Sequence, residues 1–237
     1  MSKPFNFKQF TVAQDRCAMK IGTDGVLLAA WASLDKNPDS ILDIGTGTGV
    51  IALMLAQRSE AETIDALELD DDAYEQAVSN FEESPWGDRL FCYHAHLYEF
   101  VTEIDDRYDL IVCNPPFFNE DQKTPSDVRN QARFEDAMPF ELVVASARKL
   151  LNEDGIFCII IPHNRELELI DLAAKAELFP IKITRVKGTP ESKEKRSLLS
   201  FSFENIETKI DELVIELARH EYTESYINLV KDFYLKM

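Results

Sequence analysis

The sequence predicts a doubly wound α/β fold built on a Rossmann-like, mostly parallel sheet of seven strands. From residue 41 onward, short apolar segments alternate with amphipathic ones, a pattern typical of parallel strands joined by helices. A glycine-rich turn follows the first strand, and residues 156–161 are apolar throughout, as expected for a central strand covered on both faces. Residues 1–40 precede this pattern, so we expect a single domain, 1–237, with an N-terminal extension.

The predicted elements follow one another in a regular order. Period-2 and short apolar runs predict strands at 41–44, 63–69, 90–93, 110–113, 156–161, 181–186 and 198–203. Helical periodicity predicts helices at 50–57, 71–83, 140–151, 166–176 and 223–235. Asp70 or Asp71 is expected to cap the second of these helices. Because a loop rather than a helix joins the last two strands, we expect an antiparallel strand at the sheet edge.

Composition excludes several classes of protein. The chain has 237 residues, of which 45% are hydrophobic and 29% charged, ordinary values for a globular domain. It lacks an apolar run of about 18 residues that could span a membrane, and residues 1–10 lack the apolar segment of a secretion signal. The 4 cysteines are far apart, which argues against a zinc ribbon or a disulfide framework and favours a reducing cytoplasm.

The charge of the chain is unevenly distributed. The net charge of −18 opposes long-range attraction to a polyanion, and most of the acids are expected to serve solubility. The segment 182–196 differs because its cations outnumber its anions, so it could hold phosphate groups on an otherwise acidic body. These cations are Lys182, Arg185, Lys187, Lys193, Lys195 and Arg196.

A glycine-rich turn and a following acid predict a nucleoside cofactor. Residues 43–49 read Asp-Ile-Gly-Thr-Gly-Thr-Gly, and glycines let a backbone turn tightly and approach a ligand closely. Glu68 ends the second strand, where an acid can accept hydrogen bonds from two ribose hydroxyls. The glycine spacing departs from the G-x-G-x-x-G of dinucleotide folds, which disfavours NAD.

The segment Asn114-Pro115-Pro116-Phe117, after the fourth strand, is the most specific motif. Prolines fix the backbone and offer no N–H donor, so the Asn114 amide oxygen and the Pro115 carbonyl can both act as acceptors. Phe117 adds an aromatic face. The set suits a planar NH₂ group, whose lone pair becomes available when both N–H bonds are held in hydrogen bonds.

These motifs resemble those of class I amino-methyltransferases, which use S-adenosylmethionine. The resemblance implies a class I methyltransferase fold, with Asn114, Pro115 and Phe117 as catalytic residues and Pro116 beside the substrate. Similar enzymes close over the methionine end of the cofactor where Lys20, Thr23 and Asp24 lie, although Thr23 or Asp24 could instead cap a helix. The implied cofactor-binding residues also include Asp43, Gly45, Thr46, Gly47, Gly49, Glu68, Leu69, His96, Leu97 and Asn114.

Further segments resemble the tRNA1(Val) (adenine(37)-N6)-methyltransferase family nearly end to end. They are residues 5–10, 19–28 with Trp31, 80–81, 84–86, 129–133 and 222–237. The family implies a cytoplasmic bacterial enzyme that methylates N6 of adenine 37, beside the anticodon of a valine tRNA. One departure is His96, which stands where the family usually has an acid near the cofactor adenine. A neutral imidazole accepts through one nitrogen only, so the backbone of Leu97 could do that work instead.

Candidate RNA contacts lie in two places. Arg129 and Arg133 share a helical spacing and could clamp phosphates of the target nucleotide, or they could pair with Glu135 or Asp136. The basic loop, with Lys187, Lys193, Lys195 and Arg196, could grip the anticodon stem-loop, or it could be a solvated loop. The aromatic stripe of Tyr226, Phe233 and Tyr234 is expected to pack in the core.

Three alternatives remain open at this point. The motifs also fit a protein glutamine N5-methyltransferase or a ribosomal RNA adenine N6-methyltransferase, and the acidic charge would suit a protein substrate. An RNA chaperone that binds the cofactor without catalysis is an alternative of another class, which the intact residues 114–117 disfavour. For the methyltransferase we expect a monomer that needs no metal and no membrane.

Overall fold

The computed structural model describes residues 3–116 and 138–237 of the chain. Its helices are α1 (Thr23–Trp31), α2 (Val50–Arg58), α3 (Asp71–Glu82), α4 (Leu97–Glu103), α5 (Phe140–Leu150), α6 (Glu166–Lys175) and α7 (Glu224–Val230). Its strands are β1 (Phe5–Asn6), β2 (Thr11–Val12), β3 (Ser40–Ile44), β4 (Thr63–Glu68), β5 (Leu90–His94), β6 (Tyr108–Cys113), β7 (Leu151–Pro162), β8 (Phe179–Lys187), β9 (Glu194–Ser202), β10 (Lys209–Val214), β11 (Glu216–Ala218) and β12 (Glu221–Tyr222).

The predicted fold class is confirmed, and the sheet differs from the prediction in two details. Within the described residues the main sheet has 8 strands in the order β10-β8-β9-β7-β6-β3-β4-β5. Only β9 is antiparallel to its neighbours, and it lies between β7 and β8 rather than at the edge. The chain crosses from β7 to β8 through α6 and leaves one strand position open between them. The next strand, β9, occupies that position. The edge strand β10 is parallel to β8. The apolar patterns did not predict it, because its sequence is charged and Ile210 is exposed.

Helices cover both faces of the sheet. On one face α1, α2 and α3 form an apolar core with the N-terminal segment and α7. On the other face α4, α5 and α6 form a second core. Residues 157–161 of β7 are fully buried between them, as the apolar run predicts. In the parts of the chain that are described, no helix has the length and hydrophobicity needed to cross a bilayer.

The two chain termini pack together at one end of the molecule. The predicted helix at 223–235 ends at Val230 as α7, because the chain then turns to meet the N-terminal segment. There the Lys8 amide donates to the Phe233 carbonyl at 2.8 Å, and Phe7 pairs with Tyr234 in an isolated bridge. Tyr226 and Phe233 are buried, as expected for core residues.

The N-terminal extension is hydrogen-bonded to α3 by two buried amide side chains. Asn80 Oδ1 accepts from the Ala13 amide at 2.9 Å, and Asn80 Nδ2 donates to the carbonyls of Ala13 and Thr48 at 2.9 and 2.8 Å. Gln76 Oε1 accepts from the Arg16 amide at 3.0 Å. Asn80 therefore joins the extension to the glycine-rich turn.

Candidate active site

A cavity opens at the carboxyl ends of β3, β4, β5 and β6, the edge at which open α/β sheets bind ligands. The glycine turn after β3 and the ends of β4 and β6 contribute Gly45, Gly47, Glu68, Leu69, Asn114 and Pro116. The loop after β5 contributes His96 and Leu97. The wall is completed by Cys17, Ala18 and Met19 of the extension and by Met138. The motifs that the sequence singled out thus converge on one cavity.

The glycine turn adopts a backbone that other residues rarely reach. Gly45, Gly47 and Gly49 have φ of 73°, 57° and 81°, in the left-handed region that favours glycine. A Cβ at Gly49 would lie 2.5 Å from Phe81 Cε1, whereas a Cβ at Gly47 would meet no atom within 4 Å. Gly49 therefore permits close packing of the turn on α3, and Gly47 leaves open space beside the cavity.

The Glu68 carboxylate links the glycine turn to the end of β4. Its Oε2 accepts from the Gly47 amide at 2.8 Å, and its Oε1 accepts from the amides of Leu69 and Asp70 at 2.8 and 2.9 Å. Asp70 Oδ1 in turn caps α3 at the Ala73 amide, as the sequence predicts. Because a carboxylate has about four acceptor sites, Glu68 keeps part of its acceptor capacity for a ligand.

Asp43 is a fully buried acid beneath the turn. Its Oδ2 accepts from the Thr46 hydroxyl at 2.6 Å, while Oδ1 is buried and has no hydrogen-bond partner among the residues that the structure describes. Burial raises the pKa of Asp43 from 3.8 to about 7, opposed by hydrogen bonds from Thr46 and Ala52 and supported by the Glu68 charge. Asp43, Thr46 and Gly49, which the sequence predicted as cofactor contacts, do not line the cavity. Their contacts lie within the turn and against α3.

His96 has a structural role that the sequence did not reveal. Its Nδ1 accepts from the Tyr98 amide at 3.1 Å, so the ring caps α4. A neutral imidazole that accepts at Nδ1 carries its proton on Nε2. The accepting nitrogen of His96 is therefore occupied, and the other nitrogen can only donate.

Asn114 stands where β6 ends, between the cavity and α1. A Cβ built on Gly25 of α1 would lie 3.8 Å from Asn114 Nδ2, so this helix closely approaches the amide. The Asn114 side chain forms no hydrogen bond with any other described residue. Pro115 is buried next to it and does not line the cavity. Phe117, Arg129 and Arg133 lie outside the described residues.

The structure does not bring Lys20, Thr23 and Asp24 into the cavity wall. The Lys20 ammonium donates to the carbonyls of Gln14 and Cys17, within the extension. Thr23 begins α1 without capping it, since Gly22 is the N-cap and no side chain caps the helix. The Asp24 carboxylate accepts from Arg196 Nε at 2.7 Å. The expected contact of these three side chains with the cofactor has no support from their positions.

The loop of the basic segment 182–196 lies at the same edge of the sheet. Acidic residues already form ion pairs with some of its cations. Lys187 is paired with Glu194 and Glu212. Lys193 and Lys195 form no ion pair with any residue that the structure describes. Two further cations are engaged as well: Arg185 forms a salt bridge with Glu166, and Lys182 lies over the Trp31 ring.

The sequence did not identify several residues of the cavity wall. Cys17, Ala18 and Met19 reach it only because α3 holds the extension, and Met138 reaches it from a distant part of the chain. Burial, with the Glu68 charge nearby, raises the pKa of the Cys17 thiol to about 12, so this thiol stays protonated. Asp70 also lines the cavity. The sequence identified it only as a candidate helix cap. In the described ranges, no cluster of His, Cys, Asp and Glu is arranged to hold a metal.

Comparisons with known proteins agree on one family. Residues 21–177 match the family model of the methyltransferase small domain. The chain is 64% identical over 234 residues to a tRNA1(Val) (adenine(37)-N6)-methyltransferase of Flavobacterium johnsoniae, covering 98% of this chain and 100% of that protein. It is 45% identical to the protein of that name from Bacteroides fragilis strain YCH46, over 100% of both chains.

Solved structures show the same fold at low sequence identity. A predicted O-methyltransferase, Atu636 from Agrobacterium tumefaciens, has a TM-score of 0.69 at 19% identity, covering 89% of this chain and 96% of its own. The ribosomal protein L11 methylase from Lactobacillus delbrueckii subsp. bulgaricus has a TM-score of 0.54 at 18% identity, covering 75% of this chain and 76% of its own. These two likenesses concern the fold alone.

Proposed function

Because this chain belongs to the tRNA1(Val) (adenine(37)-N6)-methyltransferase family, we propose that it transfers a methyl group from S-adenosylmethionine to N6 of adenine 37 in a valine tRNA. The observation that carries the proposal is the position of Asn114. This residue follows β6 directly and lies in the wall of the same cavity as Gly47 and Glu68, which supports an acceptor for the substrate amine beside the proposed cofactor site.

The residues present fit S-adenosylmethionine. The open space at Gly47 admits a ligand against the backbone. Glu68 would hold the ribose hydroxyls with its remaining acceptor capacity. Leu69, Leu97 and the His96 Nε2 donor would border the adenine ring. When bound, the cofactor supplies an electrophilic methyl group on a positively charged sulfur.

Asn114 is proposed to activate the substrate nitrogen by holding its protons. The amide Oδ1 and the Pro115 carbonyl would each accept one N–H of the adenine amino group. The lone pair of that nitrogen then localises as the nitrogen becomes tetrahedral, so positioning replaces a strong base. Phe117 would stack on the extruded base, a role that rests on the sequence motif. A loop base costs less to extrude than one inside a duplex.

The N-terminal extension is proposed to close over the cofactor. Its residues 17–19 line the cavity, and Asn80 and Gln76 hold the preceding residues on α3. Because Asn80 also bonds to the Thr48 carbonyl of the glycine turn, the wall and the turn are fixed relative to each other. We expect the enzyme to act as a monomer in the cytoplasm, where its tRNA substrate is found.

The decisive experiment combines the purified protein, labelled S-adenosylmethionine and total tRNA from cells that lack the gene. The tRNA is digested to nucleosides, and labelled N6-methyladenosine is the expected product. A parallel incubation with tRNA from cells that carry the gene should show little incorporation, because position 37 is already modified there. Label in ribosomal RNA or in a glutamine-containing protein, with none in tRNA, would contradict the proposal.

A further inference from the structure

An ion pair connects the basic segment to the helix that approaches Asn114. Arg196 Nε donates to Asp24 Oδ2 at 2.7 Å, although the two residues are 172 positions apart. Both side chains are partly buried, with 21% of Arg196 and 29% of Asp24 exposed. Asp24 lies in the first turn of α1, where the helix dipole favours a negative charge. The pair therefore fixes an arginine beside the end of α1 that faces Asn114.

Arg196 retains hydrogen-bond donors beyond those that its ion pair with Asp24 uses. Besides its bond to Asp24, it donates from Nη1 to the Lys195 carbonyl at 3.1 Å. Since a guanidinium has five N–H donors, most of them, including those of Nη2, are unused among the described residues. Arg185 is directed elsewhere, because its Nε and Nη2 both donate to Glu166. Arg196 also neighbours Lys195, which has no acidic partner in the described chain.

Sheet register places Arg196 near the substrate side of Asn114. Cys113, the residue before Asn114, pairs with Ile159 of β7, and Pro162 of β7 pairs with Arg196 of β9. Two strand spacings separate β6 from β9, and Arg196 is displaced by about two residues along the strands from the level of Asn114, so their backbones lie roughly 12 Å apart. A nucleotide with its base amine at Asn114 can span such a distance to reach an arginine with its phosphate.

We propose that Arg196 binds a backbone phosphate of the target RNA strand, and that Asp24 is a positioning residue that aims the guanidinium. The inference rests on the proposed function, because it assigns the RNA backbone contact of that site. Asp24 would thus serve substrate binding rather than the cofactor. A planar guanidinium suits two oxygens of one phosphate, and one carboxylate on Nε leaves the Nη edge open.

The Asp24–Arg196 pair is not needed to hold α1 in place. Seven of the nine residues of α1 are buried, and its last residue, Trp31, donates from Nε1 to Thr184 of β8 at 2.8 Å. Loss of the ion pair should therefore release the Arg196 side chain while α1 stays packed.

The test uses the full chain with four single variants of the pair (Asp24→Ala, Asp24→Asn, Arg196→Ala and Arg196→Lys), a double variant and a control. Binding of unmodified valine tRNA is measured against salt, cofactor binding is measured by calorimetry, and kcat and KM for tRNA are measured separately. Arg196→Ala should reduce the slope of log affinity against log salt by about 0.7–0.9, the loss of one phosphate contact. Arg196→Lys should keep the salt slope, because the positive charge remains. It should still raise the KM for tRNA, because an ammonium lacks the two parallel N–H donors of a guanidinium.

Asp24→Ala should raise KM for tRNA several-fold and change the cofactor Kd by less than twofold. Asp24→Asn should lie close to the wild type, because its amide oxygen can still accept from Arg196 Nε. The double variant Asp24→Ala/Arg196→Ala should be no worse than Arg196→Ala, since Asp24 acts through Arg196. Arg148→Ala is the control, because it removes another arginine–carboxylate ion pair, the more exposed one with Glu177 near the end of α5, and should leave the salt slope unchanged.

Two results would overturn the inference. One is an unchanged salt slope in Arg196→Ala; the other is a large loss of cofactor affinity in Asp24→Ala with an unchanged KM for tRNA. Failure of the proposed function looks different, because wild-type protein would then leave tRNA unmethylated. Salt slopes and cofactor affinities are measured without turnover, so the two failures can be told apart. A common fall in Tm for Asp24→Ala and Asp24→Asn would also count against the inference, since it would indicate a structural role.

Discussion

The Gly47 amide donates to Glu68 Oε2 at 2.8 Å, which joins two turns that are 21 residues apart in the sequence. The same carboxylate accepts from the amides of Leu69 and Asp70 through Oε1. One buried acid therefore shapes both turns that border the cavity. This arrangement links the orientation of the Glu68 carboxylate to the conformation of the glycine turn.

Glu68→Gln is expected to weaken S-adenosylmethionine binding by about tenfold or more. Hydrogen bonds to a charged acceptor contribute roughly 1.5–3 kcal/mol, and a glutamine NH₂ cannot accept from the backbone amides that Glu68 now satisfies. Isothermal titration of the cofactor measures the change. Glu62→Gln, on an exposed side chain at the start of β4, is the control. Affinity within twofold of the wild type in Glu68→Gln would contradict the role assigned to this carboxylate.

Asn114→Ala is expected to lower kcat by at least about 100-fold, the usual scale for loss of a preorganised group that acts on the transition state. The cofactor Kd should change far less, because Glu68 and the glycine turn are untouched. Single-turnover methylation and cofactor titration separate the two effects. Asn205→Ala alters an exposed asparagine far along the chain and should behave as the wild type. A near-normal rate in Asn114→Ala would disprove the proposed mechanism.

Gly49→Ala should destabilise the fold more than Gly47→Ala. Both positions have positive φ, which costs an alanine about 1–2 kcal/mol. At Gly49 the new Cβ would also lie 2.5 Å from the buried Phe81 ring, and overpacking adds about 1–3 kcal/mol. Urea unfolding of both variants measures the difference. Equal losses of stability would show that the contact with Phe81 relaxes at no cost.

The stability of the cofactor-free protein should fall as pH rises from about 4 to about 7 through Asp43. Burial raises the pKa of this acid from 3.8 to about 7, so within that window the native chain holds a proton that the unfolded chain releases. Its stabilising effect is complete below the lower value and is lost above the higher one. The contribution is a few kcal/mol at most.

Asp43→Asn cannot titrate, so it should remove this part of the pH dependence. Urea unfolding of the wild type and the variant at pH 5 and pH 8 makes the comparison. Equal changes in the free energy of unfolding for the two proteins would show that Asp43 is ionised throughout.

The affinity for tRNA should fall steeply with salt and depend on Lys193 and Lys195. These two cations have no ion-pair partner in the described residues, whereas Lys187 is held by Glu194 and Glu212. Lys193→Glu/Lys195→Glu should therefore weaken binding much more than Lys187→Gln does. Filter binding across a salt series measures both affinity and slope. An unchanged tRNA affinity after charge reversal would show that Lys193 and Lys195 do not contact the RNA.

Local sequence patterns were sufficient to predict the fold class and to place Gly47, Glu68 and Asn114 at one edge of the sheet. Alternating periodicity gives strands and helices that can pack only as a covered parallel sheet. Gly47 follows β3, and Glu68 is the last residue of the neighbouring parallel strand β4. The sequence order of these strands therefore already implies that the two residues lie at one edge of the sheet. Asn114 follows the next strand of the same edge. These features depend on local patterns and on general rules of sheet topology.

Local patterns could not predict how distant segments of the chain come together around the cavity. The position of β9 between β7 and β8 follows from the gap that the α6 crossover leaves, which no local pattern reports. The extension reaches the cavity through Asn80, and Asp24 turns to Arg196 rather than to the cofactor cavity. Such contacts join side chains far apart in the chain, and they depend on competition between partners that only the folded molecule brings within reach.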